Sequence, residues 1–321
     1  MKIKFFTNDY SKKASKYAKH SKDQGTLYLA YKEFSAIFER HIRSNGNLAL
    51  DYGTGTGRSR KYLEAIGFDA DGTDIDENML QEAIKSDSQN SSKYCLMKKG
   101  TIPQRKSKYD LVFSSLVVLE IQTMQGIVDY FSEAERVLKF DGTIVVLTVN
   151  DDFYKHQWVS VDTNYSGNAN AKSGDKVRIK IKEIDLELDD FYWTKKDYKK
   201  AADLAGLTMI DLVEPKGSMD DGVEWMAENN YSPYAIMVFK KSKCLINTNQ
   251  IKKEHNLNIE LDGRGIFSEI YRDPQIISKE ALNSFFSGDR NKSSKIKLLM
   301  RAKDYWPFHK LRSTETFKFL E

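Results

Sequence analysis

The amino-acid sequence predicts an α/β fold: a doubly wound, mainly parallel sheet of seven strands with a small C-terminal appendage. Three observations carry this. From Asn47 onward, short β-type runs alternate with helix-type runs, the pattern of a sheet covered by helices on both faces. A glycine-rich turn joins the first strand to the helix that follows it. After Lys243 the alternation is lost. With 321 residues, 40% hydrophobic and 30% charged, the chain has room for one large domain plus a smaller addition, and enough apolar residues for a core. The expected boundaries are 1–243 for the sheet domain and 244–321 for the appendage.

The elements follow in order. Residues 1–45 are Lys-rich and helical in character, with Tyr10, Ala14, Tyr17, Tyr28, Tyr31, Phe34 and Phe38 at loosely helical spacing; they are expected to cap the domain. Leu48–Asp51 reads as the first strand. A helix through Tyr62, Leu63 and Ile66 follows the glycine turn and stops at Gly67. A second strand ends at Thr73-Asp74, and Asp76 is placed to N-cap the next helix with Glu77 in its first turn. Short strands are expected at Tyr94–Met97 and Asp110–Ser114, and a helix through Ile127, Tyr130, Phe131, Ala134, Val137 and Leu138. Asp141-Gly142 makes a turn into a fifth strand, Thr143–Thr148. Residues 150–190 break the rhythm and read as an insert. Thr194 with Asp197 is a capping-box signature for a helix ending at Gly206. Leu207–Val213 and Tyr234–Phe239 are expected to close the sheet as an antiparallel pair. The appendage offers a helix at 279–286, a basic run at 292–303 and an aromatic stretch at 305–309.

Bulk properties narrow the class. The net charge of +4 does not by itself mark a nucleic-acid surface. The two cysteines, Cys95 and Cys244, have no metal-ligand spacing and are expected to be reduced, and no metal site is expected. The N-terminus is basic but lacks the apolar core of a signal peptide. No run approaches the ~20 apolar residues of a membrane helix. A cytoplasmic protein with no membrane contact is expected.

The chemistry centres on Leu50-Asp51-Tyr52-Gly53-Thr54-Gly55-Thr56-Gly57. Glycines between a strand and a helix let backbone approach a ligand and leave free N–H groups at the helix start. A dinucleotide loop reads Gly-x-Gly-x-x-Gly; here the third glycine comes one residue early and Arg58 stands in its place. A phosphate-binding loop would need a Gly-Lys-Ser/Thr ending, which this segment lacks. Asp74, ending the second strand, can accept both hydroxyls of a ribose.

The segment resembles motif I of the class I S-adenosylmethionine-dependent methyltransferases. Gly72–Leu80 resembles the family's second motif, and Lys108–Val112 the start of its fourth strand. Arg136–Thr143 resembles its helix-turn-strand segment. The resemblance covers about residues 10–241 and implies a Rossmann-like methyltransferase sheet with S-adenosyl-L-methionine as cofactor. By position it implies that Gly53, Gly55 and Gly57 face the methionine part, with Asp51 fixing the loop. Asp74 would hold the ribose, Ile75 would pack on adenine, and Ser114 and Ser115 would face the methionyl end. Tyr10 and Tyr17 resemble the N-terminal tyrosines that cap the cofactor in small-molecule methyltransferases; Tyr17 is expected at the cofactor and Tyr10 at the substrate. The family often has an acid after the third strand to meet adenine; here Gly100 and Thr101 are expected to do so through backbone. Glu120 stands where the family often carries a histidine, which makes it a candidate catalytic group.

The acceptor is expected to be a small molecule, methylated on O or N. Its layer is expected in the insert, where His156 is the candidate base and Trp158 a candidate wall, with Trp193, Trp225 and Glu224 further on. Glu228 and Tyr231 precede the last strand, where the family often closes its pocket. The Asn-Pro-Pro-Tyr signature of base-amino methyltransferases is replaced by Ser114-Ser115-Leu116-Val117, which disfavours a nucleic-acid acceptor. Three other readings stay open: a nucleic-acid methyltransferase using the appendage, an enzyme that cleaves or cyclises the sulfonium itself, and a non-catalytic binder. Oligomeric state is not legible.

Overall fold

The computed structural model describes residues 8–20, 25–42, 46–98 and 100–242. The expected appendage, with Cys244, its helix, its basic run and its aromatic stretch, lies outside the described residues. The described elements, in order, are α1 (Ala14–Tyr17), α2 (Tyr28–His41), β1 (Leu48–Tyr52), α3 (Arg58–Ala65), β2 (Asp69–Asp74), α4 (Glu77–Ser86), β3 (Tyr94–Leu96) and β4 (Tyr109–Ser115). Then come α5 (Met124–Val137), β5 (Leu138–Val149), β6 (Val161–Asp162), β7 (Lys176–Ile181), β8 (Leu186–Phe191), α6 (Lys195–Leu204), β9 (Leu207–Val213) and β10 (Tyr234–Lys241).

Seven strands form one sheet in the order β3-β2-β1-β4-β5-β10-β9. β10 runs antiparallel to both its neighbours, and the remaining pairings are parallel. Strand order reverses between β1 and β4, so the crevice for a ligand opens at their carboxyl ends. Local chemistry sets the boundaries. Asp76 accepts from Asn78 N and Met79 N (2.9 and 3.0 Å) and starts α4. Thr194 and Asp197 form the expected capping box. Gly67, at φ +101°, ends α3. The expected turn at Asp141-Gly142 is instead absorbed into β5. Tyr109 pairs with Leu138 and Leu111 with Thr143, so the ladder steps over the turn residues as a bulge.

Strand alternation assigns the two faces. Leu111, Phe113, Val145, Leu147, Ile236 and Val238 join one buried cluster with α2 and α3. Their neighbours point the other way: Tyr130 of α5 stacks on Tyr52 at 4.5 Å, and Phe131 meets Phe239 edge-on at 5.2 Å. The first face corrects one expectation. α2 is part of the core and not a cap: Phe34 is fully buried and meets Phe113 edge-on at 4.8 Å. Burying such a phenylalanine contributes about 1.5–3 kcal/mol.

The cap is α1 together with the insert. Inside the insert, β6, β7 and β8 form a separate three-stranded antiparallel sheet. Tyr10 and Ala14 pack on its Ile181, Ile184, Leu186 and Leu188, with Met79 of α4. Asn8 clamps the arm to β8, donating to Asp189 O (2.8 Å) and accepting from Asp189 N (3.0 Å). Among the described residues, no helix is long and apolar enough to cross a membrane.

Candidate active site

At the carboxyl ends of β1, β2 and β4 the glycine turn bends back on the sheet. Gly53 N and Thr54 N both donate to Thr73 O at 2.8 Å. Gly53, Gly55 and Gly57 all take left-handed φ, at +82°, +54° and +83°, which only glycine adopts without strain. A Cβ on Gly53 would lie 2.3 Å from Val117 Cγ2, so the turn and the segment after β4 touch there.

Two cavities open over this turn. The first, of about 650 Å³ including its mouth, is lined by Gly53, Gly55, Asp74, Ile75, Ser115 and Tyr17, among others. The second, of about 550 Å³ on the same measure, lies between α1, the insert sheet and the end of β5. Tyr10, Tyr17, Leu116 and Glu120 line both.

The carboxyls here share one feature: burial pushes each up. Asp74 rises to about 6, although backbone donors at Asp76, Gly55 and Ile75 pull against burial. Its Oδ2 accepts from Gly55 N (2.7 Å) and its Oδ1 from Asp76 N (2.9 Å), which aims the carboxylate along the cavity wall. Asp51 also rises to about 6 by burial, opposed by the Thr54 and Ser59 hydroxyls. Glu120 is driven to about 8 by burial and by the charges of Asp190 and Asp74, against a hydrogen bond from Tyr10. Tyr10 OH donates that bond to Glu120 Oε1. Asp190, on β8, reaches about 7 through burial and the charge of Asp189, with Tyr154 OH donating at 3.2 Å. Buried carboxyls in one place favour a positively charged occupant.

Several expected site residues lie behind the walls. Asp51 is fully buried and accepts from Ser59 Oγ at 2.7 Å, which ties the end of β1 to α3. Gly57 caps α3 and lines neither cavity; a Cβ there would meet Tyr94 OH at 2.6 Å. Ser114 donates to Tyr52 O at 2.8 Å and holds β4 to β1. Gly100 and Thr101 also line neither cavity. β3 ends at Leu96 and the chain closes a tight turn, with Thr101 N donating to Lys98 O at 3.1 Å, so Met97 is the residue that reaches the first cavity.

The expected acceptor residues are the larger correction. His156 stacks on Tyr231 at 3.8 Å between ring centres and lines neither of these cavities. Trp158 is fully buried, stacked on Phe153, with Nε1 donating to Phe153 O at 2.9 Å. Trp193 Nε1 donates to Ile121 O (2.9 Å), and Trp225 Nε1 to Asp221 Oδ2 (3.1 Å), so both serve to fix loops. Glu224 is exposed. Glu228 is buried and accepts from Thr26 Oγ1 and Val159 N, both at 2.8 Å.

Other lining residues went unassigned in the sequence. Arg58, noted only as the residue displacing a glycine, lines the first cavity beside Tyr17. Leu116 holds φ +58°, unusual for a branched side chain, and lines both cavities. Nothing in the sequence marks it. Asp190 had a signal: Leu186, Leu188 and Asp190 share one face of β8 by alternation, so the carboxyl had to point inward.

Comparison with known proteins agrees with this arrangement. Residues 50–146 match the family model described as a methyltransferase domain. The fold is similar to that of an S-adenosylmethionine-dependent methyltransferase from Clostridium acetobutylicum, at TM-score 0.52 and 15% identity, over 74% of this chain and 100% of that one. It is also similar to the CcbJ methyltransferase from Streptomyces caelestis, at TM-score 0.50 and 16% identity, over 72% of this chain and 96% of that one. Among curated proteins, none matches the chain.

Proposed function

Because residues 50–146 match a methyltransferase-domain model and hold the glycine turn and Asp74, we propose that the chain is a class I S-adenosylmethionine-dependent methyltransferase that methylates O or N of a small molecule held in the second cavity. The observation that carries this is the pair of cavities sharing Tyr10, Tyr17, Leu116 and Glu120 as common walls. A cofactor site and an acceptor site then face one another across a few side chains, which is what alignment of two reactants needs.

The residues present fit the cofactor. Gly53 and Gly55, held at left-handed φ, bring bare backbone to the wall of the first cavity. Asp74, oriented by Gly55 N and Asp76 N, has lone pairs left for ribose hydroxyls, and Ile75 and Met97 offer apolar surface for a base. Arg58 suits a carboxylate, and the raised carboxyls suit a molecule with two positive centres. When bound, S-adenosylmethionine supplies an electrophilic methyl group on a sulfonium. Glu120, common to both cavities and held near neutrality by burial, is the group placed to take a proton from the acceptor. Tyr10 fixes its orientation. The insert turns Val161, Ile181 and Leu188 toward the acceptor.

Incubation of the full chain with methyl-labelled S-adenosylmethionine and a metabolite extract tests this, with both products followed by mass spectrometry. S-adenosylhomocysteine together with a labelled small molecule is expected. Methylthioadenosine, or label on tRNA or DNA alone, would overturn it.

A further inference from the structure

We propose that the second cavity selects a small amphipathic amine, with an apolar body against its walls and a cationic nitrogen against Glu120 and Asp190. This names the acceptor class and rests on the methyl-transfer reading above.

The walls divide by chemistry. Leu27, Leu119, Phe153, Val161, Ile181 and Leu188 give an apolar surface. Against it stand two carboxyls, Glu120 at 8% exposure and Asp190 at 2%. Each has one tyrosine donor, Tyr10 for Glu120 and Tyr154 for Asp190. Glu120 Oε2 is buried with no partner at hydrogen-bonding distance. The Asn8 amide, which gives one of its two N–H groups to Asp189 O at 2.8 Å, stands near enough to lower the Glu120 pKa. Among the residues lining this cavity, His20 is the one base. Its Nδ1 is held by Glu183 at 2.7 Å, and burial pushes it toward the neutral form.

An unpaired buried carboxylate is costly, and its cure is a partner of opposite charge or a proton. A neutral hydroxyl gives one donor and no charge. A carboxylate ligand would bring negative charge against two carboxyls whose own ionisation burial already opposes. An ammonium supplies three donors and the missing charge, while its apolar body fills the rest.

The same arrangement balances the reaction. The ammonium passes one proton to the Glu120 carboxylate. The freed nitrogen pair forms the new N–C bond to the cofactor's methyl while the S–C pair stays on sulfur. The products are an N-methylammonium ion, a neutral thioether and protonated Glu120, which returns its proton to solvent.

Calorimetry on the full chain saturated with S-adenosylhomocysteine tests the selectivity. The probes are phenethylamine, tryptamine and octylamine, each against its alcohol: phenethyl alcohol, tryptophol and octanol. At least one amine is expected to bind tenfold or more tighter than its alcohol, and to gain one methyl group when S-adenosylmethionine replaces the product. Glu120→Gln and Asp190→Asn should each weaken that amine tenfold or more and leave the alcohols within twofold. Asp190→Asn should leave S-adenosylhomocysteine affinity unchanged, which also reports that it is folded. No amine preferred over its alcohol, or full amine affinity in both variants, overturns the proposal. Failure of the wild-type chain to bind S-adenosylhomocysteine would instead overturn the methyl-transfer reading beneath it.

Discussion

Substituting alanine at three glycines separates backbone strain from steric contact at the cofactor turn. Gly53, Gly55 and Gly67 all have positive φ, at +82°, +54° and +101°, so each alanine costs about 1–2 kcal/mol for the left-handed backbone. Their surroundings differ. At Gly67 a Cβ meets nothing within 4 Å; at Gly55 the nearest atom is the flexible end of Met79, 3.2 Å away; at Gly53 it would lie 2.3 Å from Val117 Cγ2 and 3.0 Å from Cγ1. Overpacking of that kind adds about 1–3 kcal/mol. Gly67→Ala and Gly55→Ala should therefore cost about 1–2 kcal/mol each, and Gly53→Ala about 2–5 kcal/mol. Urea denaturation without cofactor measures all three. In the double variant with Val117→Ala, the steric part should return and the backbone part remain. S-adenosylhomocysteine affinity should fall for Gly53→Ala and Gly55→Ala, which line the first cavity, and hold for Gly67→Ala, which does not. Equal costs at Gly53 and Gly67, or no relief from Val117→Ala, would refute the reasoning.

Other substitutions probe the rest of the site. Asp74→Asn keeps the shape of the side chain and removes its charge, so S-adenosylhomocysteine should bind about tenfold or more weakly by calorimetry, since hydrogen bonds to a charged group contribute about 1.5–3 kcal/mol. His156→Gln should leave kcat and KM within about twofold, because His156 packs on Tyr231 and lines neither cavity; a larger loss would return it to the site. Glu120 holds its proton up to about 8 when folded against an ordinary 4.5, so between those values the folded state binds more protons than the unfolded chain. Stability of the ligand-free protein should fall from pH 5 to pH 8 by a contribution on the order of a few kcal/mol, and Glu120→Gln should flatten the slope in urea midpoints taken across that range. Arg60 is fully buried, with its guanidinium on Glu64 and Asp87 at 2.5 Å each and over the Tyr94 ring at 4.8 Å. Arg60→Met should lower the unfolding free energy by about 3–5 kcal/mol by stranding Asp87, and an unchanged midpoint would show that Asn90 and Tyr94 suffice to hold it.

What was legible in the sequence was local. The glycine turn, the acid ending β2, the Asp76 cap and the Thr194–Asp197 capping box depend on residues close together in the chain, and each took the form its spacing implied. β10 was legible too, because a strand arriving without a crossover helix has to pair antiparallel. The turn at Asp141-Gly142 misled: turn residues signal a reversal, but a bulge accommodates the same residues without ending the strand. α2 misled because aromatic spacing along a helix reports an apolar face and not what the face covers.

The acceptor side failed for a different reason. Tryptophans and a histidine near the end of β5 were chosen as residue types that bind ligands, yet indoles also satisfy their N–H inside a core, as Trp158, Trp193 and Trp225 do. The residues that face the second cavity come from α1, the stretch after β4, and β8, brought together only when the insert folds over the N-terminal arm. Asn8, bonded to both backbone groups of Asp189, ties those two distant segments at one point. The ladder with β7 sets β8 in register and Asn8 fastens the arm to it; register decides that Asp190 points inward beside Glu120 while Asp189 faces Lys176 and Arg178. A shift of one residue would exchange the two aspartates and turn Leu186 and Leu188 away from Tyr10 and Ala14, which they pack against.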